Sequence, residues 1–302
     1  MRDKKILVTG GAGFIGGHLV EKLVEKNDVL VIDNLSEGGA EKLHEEARLR
    51  EIDIRDEAKL TETVEKFNPE IVFHLAAFND AMGSIENPIH TIETNITGTV
   101  NLLEACKDID IRKFVYASSG GLSYGEPENI PTRESENIRP VYPYGVSKAC
   151  GSLFIADYGR RYDIDYAVMR LGSVYGLGAN GGVIKNFFER IREGKRPIIY
   201  GDGSQTRDFI HVSDVISGLI KASEKGSGAY NLGNEERTSV NELIDKFETV
   251  TGRDLVPKYE ERWNGDIDNC QLSIDKARRD LDWKPEIDLL QGLEECRNFY
   301  LK

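Results

Sequence analysis

Leu7-Val8-Thr9-Gly10-Gly11-Ala12-Gly13-Phe14-Ile15-Gly16 decides how this chain is read. Apolar Ile6 to Val8 lead into it, and Ile15, Leu19, Leu23 and Val24 recur after it at a spacing of about 3.6. A strand therefore enters a helix over Phe14 to Lys26 through a G-x-x-G-x-x-G turn. Glycines there permit a tight turn and let N–H groups at the helix N-terminus approach a pyrophosphate. Asp33 closes the next apolar run, Val29 to Ile32, about twenty residues on. A carboxylate in that place accepts hydrogen bonds from the adenosine ribose and repels a 2′-phosphate, which selects NAD over NADP. No arginine stands close to Asp33 in the sequence to answer a 2′-phosphate.

Working outward, apolar runs alternate with helical patterns, the signature of βαβ units and a parallel sheet. Arg48 to Ile52, Ile71 to Leu75, Phe114 to Ala117 and Tyr166 to Leu171 read as further strands. Glu57 to Phe67, Asn87 to Lys107 and Tyr144 to Tyr162 read as helices. After Tyr175 the character changes: Gly176, Gly178, Gly181 and Gly182 mark a loop, and shorter helices follow near Ile184 to Arg192, Val212 to Ser223 and Val240 to Val250. The expected fold is α/β. Residues 1–176 form a Rossmann, doubly wound parallel sheet that binds NAD. Residues 177–302 form a smaller C-terminal α/β lobe, with some crossing of the chain between the two and a ligand at their junction.

Composition narrows the function further. A net charge of −13 argues against nucleic acid as a partner, because phosphate backbones are held by clustered Lys and Arg. No apolar run reaches the roughly 18 residues of a membrane span, and Met-Arg-Asp-Lys-Lys leads into no signal core, so a cytoplasmic location is expected. Cys106, Cys150, Cys270 and Cys296 are widely spaced, with no histidine at ligand spacing, so neither a disulfide framework nor a metal site is expected.

Tyr144-Gly145-Val146-Ser147-Lys148 opens a helix, and its i, i+4 spacing puts phenol and ammonium on one face. For the phenol to act as a base near neutral pH its pKa of about 10 must fall by about 3 units, roughly 4 kcal/mol of preferential phenolate stabilisation. A neighbouring lysine cation and a positive nicotinamide are the available sources.

With these motifs in view, the chain resembles the extended short-chain dehydrogenase/reductase family, especially the nucleotide-sugar epimerases of the UDP-galactose 4-epimerase kind. The likeness covers nearly the whole length. It rests on Gly10 to Gly16, Val31-Ile32-Asp33-Asn34-Leu35-Ser36, Phe73-His74-Leu75-Ala76-Ala77, Pro143 to Lys148, Tyr200-Gly201-Asp202-Gly203 and Gln205-Thr206-Arg207-Asp208-Phe209. The resemblance implies that Tyr144 is the acid and base at a sugar hydroxyl, that Lys148 lowers its pKa and holds the nicotinamide ribose, and that a hydroxyl of the Ser118–Ser119 pair completes a triad. Ser119 is the expected member and Ser118 is expected beside the cofactor. It further implies that Gly10, Gly13, Phe14, Ile15, Gly16, Asp33, Asn34 and Ser36 contact NAD, that Asp53 and Ile54 edge the adenine, that Leu75, Ala76 and Ala77 line the pyrophosphate side, and that Asn95 supports the site.

The same resemblance makes the second lobe the holder of a UDP-sugar. Arg207 is the expected diphosphate ligand, because a guanidinium binds phosphate oxygens bidentately. Tyr200 is expected to pack on uracil and Asn186 to contact the nucleotide. The chain departs from the family pattern in several places. Trp263 stands where an arginine is usual, with Arg262 beside it as the possible substitute. Ser173 stands for a common Asn, Leu171 for a common Tyr, and Phe78-Asn79 for a Gln or Lys region. Cys270 falls where hexose-restricted relatives carry a Tyr beside the sugar's C2 substituent, which implies room for N-acetylated sugars.

Relatives that eliminate water carry Asp-Glu directly after the catalytic hydroxyl, and here those places are Gly120 and Gly121. The resemblance thus implies an NAD-dependent isomerase that inverts C4 of a UDP-sugar through a transient 4-keto intermediate, with NAD retained and a homodimer formed by paired helices. A 4,6-dehydratase, decarboxylase or keto-reductase is the alternative within the superfamily, and a non-catalytic NAD-sensing protein the alternative outside it.

Overall fold

Ile6, Leu7 and Val8 are all fully buried, Ile6 and Val8 in the core on one side of the first strand and Leu7 in the core on the other. A strand covered on both faces reads as an unbroken apolar run, which is why it was legible. The computed structural model describes the backbone of residues 1–302 and every side chain but that of Lys42. The chain runs β1 (Lys5–Thr9), α1 (Phe14–Val24), β2 (Asp28–Asp33), β3 (Arg48–Glu51), α2 (Glu57–Phe67) and β4 (Ile71–His74). Then come α3 (Ala81–Glu86), α4 (Pro88–Ile92), a π-helical turn at Glu93–Thr97, α5 (Gly98–Cys106), β5 (Lys113–Ser119), α6 (Gly121–Tyr124), α7 (Tyr142–Tyr162) and β6 (Tyr166–Leu171). The remainder is β7 (Ser173–Tyr175), α8 (Val183–Arg192), β8 (Ile198–Tyr200), β9 (Thr206–Arg207), β10 (Phe209–His211), α9 (Val212–Lys225), β11 (Gly228–Leu232), β12 (Thr238–Ser239), α10 (Val240–Thr251), β13 (Lys258–Glu260), α11 (Asp275–Leu281) and α12 (Leu289–Tyr300).

Seven parallel strands make one sheet in the order β11-β6-β5-β4-β1-β2-β3. The chain builds outward from β1 through β2 to β3, then returns to the other side of β1 with β4. In such a doubly wound sheet the ligand crevice opens beyond the carboxyl ends of the strands at that reversal. Leu19 and Leu23 of α1 and Leu219 of α9 cover one face, while Leu60 of α2, Leu102 of α5 and Ile155 of α7 cover the other.

The chain crosses the boundary at residue 176 in both directions. β11 pairs with β6, setting Tyr230 against Met169. Trp283, 1% exposed, joins the core of the sheet and donates its indole N–H to Asp214 O at 3.1 Å. A separate core of Phe187, Phe188, Leu243, Phe247 and Leu293 holds α8, α10 and α12 together.

The single helix expected over Asn87 to Lys107 is instead α4, a π turn and α5, and α3 precedes it. π turns concentrate at functional sites, and this one carries Asn95 turned inward and 1% exposed. α7 begins at Tyr142 rather than Tyr144, with Pro143 in its first turn, where an N–H has no intrahelical partner to lose. Among the described residues no helix is long and apolar enough to cross a membrane.

Candidate active site

The turn after β1 is built by close backbone approach. Gly10 has φ +72°, and a Cβ there would lie 2.6 Å from Ala76 N; a Cβ on Gly16 would lie 2.0 Å from Gly10 O. Strand end, turn and helix are thus pressed together with no side chain between them. Gly13 caps α1 without a side-chain hydrogen bond, leaving the first-turn N–H groups of the helix to face the crevice. That cradle suits a pyrophosphate, and NAD fits the residues around it. Asp33 is held in place by N–H groups, Ala12 N donating to Oδ2 at 2.9 Å and Leu35 N to Oδ1 at 2.8 Å.

Asn34 Nδ2 donates to Asp53 Oδ2 at 3.0 Å. Arg55 also grips Asp53, and its guanidinium holds that carboxyl well below the usual carboxylate range. Arg55 lines the crevice as well, twenty-two residues after Asp33 in sequence. Its charge is already answered by Asp53 and, at 3.8 Å, by Glu93.

A cleft of about 1240 Å³ runs from this turn across the ends of β4, β5 and β6 to the C-terminal lobe. It brings together Gly10, Gly13, Phe14, Ile15, Gly16, Asp33, Asn34, Ser36, Asp53, Ile54, Leu75, Ala76, Ala77, Ser118, Ser119, Tyr144 and Lys148. From the expected sugar-nucleotide set it adds Asn79, Ser173, Asn186, Tyr200 and Arg207.

Within it, α7 is pinned at its start: Tyr144 N donates to Ser84 Oγ at 3.1 Å. Lys148, 3% exposed, donates from Nζ to Ala117 O at 2.9 Å and lies 4.9 Å from the Tyr116 ring centre. Burial pulls the Lys148 ammonium down to about 7. Tyr144 is half-buried, and that burial pushes its phenol up. Ser118 turns away into the helix, within 3.2 Å of Ser152 Oγ, whereas Ser119 is half-exposed and has no side-chain hydrogen bond among the described residues. Of the two hydroxyls, Ser119 is the one available to a ligand.

Three of the expected residues do not line the cleft. Asn95 is a brace: its amide accepts from Phe78 N at 2.7 Å and donates to Phe78 O at 3.1 Å and Ser147 Oγ at 2.9 Å, tying the wall of the cleft to α7. Arg262 is turned to Asp268 and to Asp266 O and is not among the residues that line the cleft. Cys270, 4% exposed, backs the turn after β5, its Sγ 3.2 Å from where a Cβ on Gly121 would sit. It is not among the residues that line the cleft.

Other residues that shape the site had no role assigned from sequence. His74, fully buried, bridges Thr9 Oγ1 at 2.7 Å and Thr99 Oγ1 at 2.8 Å. Burial, and then the nearby Lys148 charge, push it down to about 3, so it is a neutral strut locking the end of β1 to the first turn of α5. Its place in Phe73-His74-Leu75-Ala76-Ala77, at a strand end facing a threonine on β1, was the available signal. Arg207 donates to Asp266 at 2.6 Å and to Ile267 O at 3.0 Å, so the expected diphosphate ligand is pre-oriented by a carboxylate.

Residues 6–233 match the model of the NAD dependent epimerase/dehydratase family. A putative UDP-glucose 4-epimerase of Methanocaldococcus jannaschii is 42% identical over 299 residues, 97% of each chain. The UDP-glucose 4-epimerase of Thermotoga maritima, solved with UDP-glucose, is similar at 37% identity and TM-score 0.95 over 98% of each chain. A UDP-N-acetylglucosamine 4-epimerase from Methanobrevibacter ruminantium M1, solved with UDP-N-acetylmuramic acid, is similar at 34% identity and TM-score 0.93 over 100% of this chain and 99% of that one. With a glycine turn, a carboxylate at the end of β2 and a Tyr-Lys pair gathered in one cleft, and likeness of this extent, the chain belongs to the NAD-dependent epimerase/dehydratase family.

Proposed function

We propose that the protein is a UDP-sugar 4-epimerase that interconverts UDP-galactose and UDP-glucose and acts as a homodimer in the cytoplasm. One observation carries this reading: Tyr144, Lys148 and Ser119 share a cleft with the glycine turn, while Gly120 and Gly121 stand where eliminating relatives carry carboxylates. Space supports it too. A Cβ on Gly120 would lie 2.7 Å from Leu272 Cδ1 and 2.9 Å from Leu171 O, so a carboxylate there meets packed chain. A dehydratase or decarboxylase is disfavoured on this ground.

NAD, when bound along Gly10–Gly16, Asp33 and Asp53–Ile54, supplies the oxidised nicotinamide that accepts hydrogen from the sugar's C4 and returns it. Tyr144 takes the C4 hydroxyl proton as that carbon becomes a ketone, and gives it back once the keto-sugar has presented its other face. Ser119 holds the same oxygen by a hydrogen bond. In the protein alone burial opposes phenolate formation, so the charge must come from the pair: an anion on Tyr144 and a cation on Lys148 favour one another across one helix face. Phe78, Asn79, Leu171 and Ser173 line the cleft, and whether N-acetylhexosamine forms are accepted rests with them rather than with Cys270.

The homodimer reading rests on two apolar stripes. Ile85, Ile89 and Ile92 on α3 and α4 are 45%, 65% and 45% exposed, and Val146, Leu153 and Phe154 on α7 are 44%, 65% and 39% exposed. α3 and α4 pack against α7, so the stripes lie side by side, and an apolar face of this kind marks an association surface.

The test is to incubate purified protein with UDP-galactose without added NAD and resolve the product stereoisomers. UDP-glucose should form, and Tyr144→Phe should keep its NAD while turnover falls at least about 100-fold. A dehydrated product, or full turnover by the Phe variant, overturns the reading.

A further inference from the structure

Trp263 and Arg262 are neighbours in the chain that send their side chains in different directions. The stem of Arg262 lies over Gly201, its carbons 3.3 Å from where a Cβ would be, and its guanidinium is engaged by Asp268 and by Asp266 O. Trp263 lines the cleft instead, 40% exposed, its ring centre 4.5 Å from that of Tyr200 and the planes 34° apart. Arg207, the guanidinium beside this pair, is already neutralised by Asp266. At this end of the cleft an aromatic pair therefore lines the wall, and the Arg207 guanidinium is already paired with a carboxylate.

We propose that Trp263 is a base-binding residue, which with Tyr200 forms an aromatic clasp for the pyrimidine of a nucleoside diphosphate. The inference rests on the UDP-sugar reading above and deepens it: stacking on the base takes over part of the grip that a second cation would exert on the diphosphate. Two rings at 4.5 Å leave no room for a base between them. A base therefore meets Trp263 on its open face or parts it from Tyr200, and either event changes the surroundings of the indole. Every base offers a π-face, so a stacking clasp tolerates different pyrimidines. Uridine and thymidine diphosphates should both bind.

The chain has two tryptophans, and Trp283 is buried in the core, so a ligand-dependent change in emission reports Trp263. UDP and dTDP are titrated against the NAD-containing protein by fluorescence and by calorimetry, with Trp263→Phe, Trp263→Ala and Trp263→Arg alongside. Both nucleotides should change the emission saturably. Trp263→Phe should lose that change yet bind UDP within about 3-fold, because a ring remains. Trp263→Ala should bind UDP at least about 10-fold more weakly, the scale of one lost base stack. Trp263→Arg should bind with a steeper dependence on salt, since charge then replaces stacking. The proposal is overturned if UDP binds by calorimetry with no change in emission, or if the Ala variant binds UDP as tightly as the unaltered protein. If the unaltered protein binds no UDP at all by calorimetry, the UDP-sugar reading itself fails and takes the clasp with it.

Discussion

Gly16→Ala and Gly17→Ala add the same methyl group to consecutive residues of α1 and should have opposite consequences. At Gly16 the new Cβ lies 2.0 Å from Gly10 O and 2.8 Å from both Gly10 C and Gly11 Cα. An ordinary contact needs well over 3 Å, so turn and helix must separate by more than about 1 Å. The turn cannot yield. Gly10 N is bonded to Ile32 O at 2.9 Å, and Gly10 already presses on the backbone of Leu75 and Ala76. The helix must therefore retreat, carrying away the N–H groups that face the pyrophosphate. Overpacking of this kind costs about 1–3 kcal/mol, which at roughly 2–4 °C per kcal/mol lowers the melting temperature by several degrees. At Gly17 the nearest atom is Gly11 O at 3.8 Å, an ordinary contact, and Ala is the better helix former by up to about 1 kcal/mol. The assay is the NAD content of each purified variant, read after denaturation, together with its melting temperature. Gly16→Ala should be purified nearly free of NAD and melt lower, while Gly17→Ala keeps NAD and melts at or above the unaltered protein. If Gly16→Ala retains NAD and melts unchanged, the close approach of turn and helix does not form the cofactor cradle.

Lys148→Met should flatten the pH dependence of stability of NAD-free protein. Between about 7 and the ordinary lysine value of 10.5 the unfolded chain holds a proton that native Lys148 does not, so stability rises with pH by up to roughly 1.4 kcal/mol per unit across that window. Melting curves from pH 6 to 9 check this, and identical slopes in variant and parent would refute it. Cys270→Tyr overpacks the turn at Gly121, so turnover of UDP-galactose and of any accepted UDP-N-acetylhexosamine should fall together. A loss confined to the N-acetylated substrate would return Cys270 to the sugar pocket. Leu153→Asp, at the most exposed position of the α7 stripe, should convert a sedimenting species of twice the 33.8 kDa chain mass into one of that mass. An unchanged dimer would move the interface elsewhere.

Local periodicity and a few spacings carried most of the fold and the centre of the site. Strands buried on both faces announce themselves as apolar runs, and G-x-x-G-x-x-G, Asp33 and Tyr144-x-x-x-Lys148 have chemistry that depends on near neighbours in the chain. α12 is legible in the same way: Leu289, Leu293, Cys296 and Tyr300 share a face, and Asp288 caps Gln291 N. β11 was not legible as part of the main sheet, because its partner β6 lies some sixty residues earlier and no local pattern names a partner. Both Ser118 and Ser119 line the cleft, and only the tertiary structure showed that the Ser118 hydroxyl is buried against Ser152 while Ser119 is half-exposed, since adjacent residues on a strand point to opposite sides. It also put Arg55 and Trp263 on the wall of the cleft, turned Arg262 to Asp268, and packed Cys270 against Gly121. Direction and burial of a side chain are set by what packs around it from distant parts of the chain. Residue type and spacing alone do not contain that information.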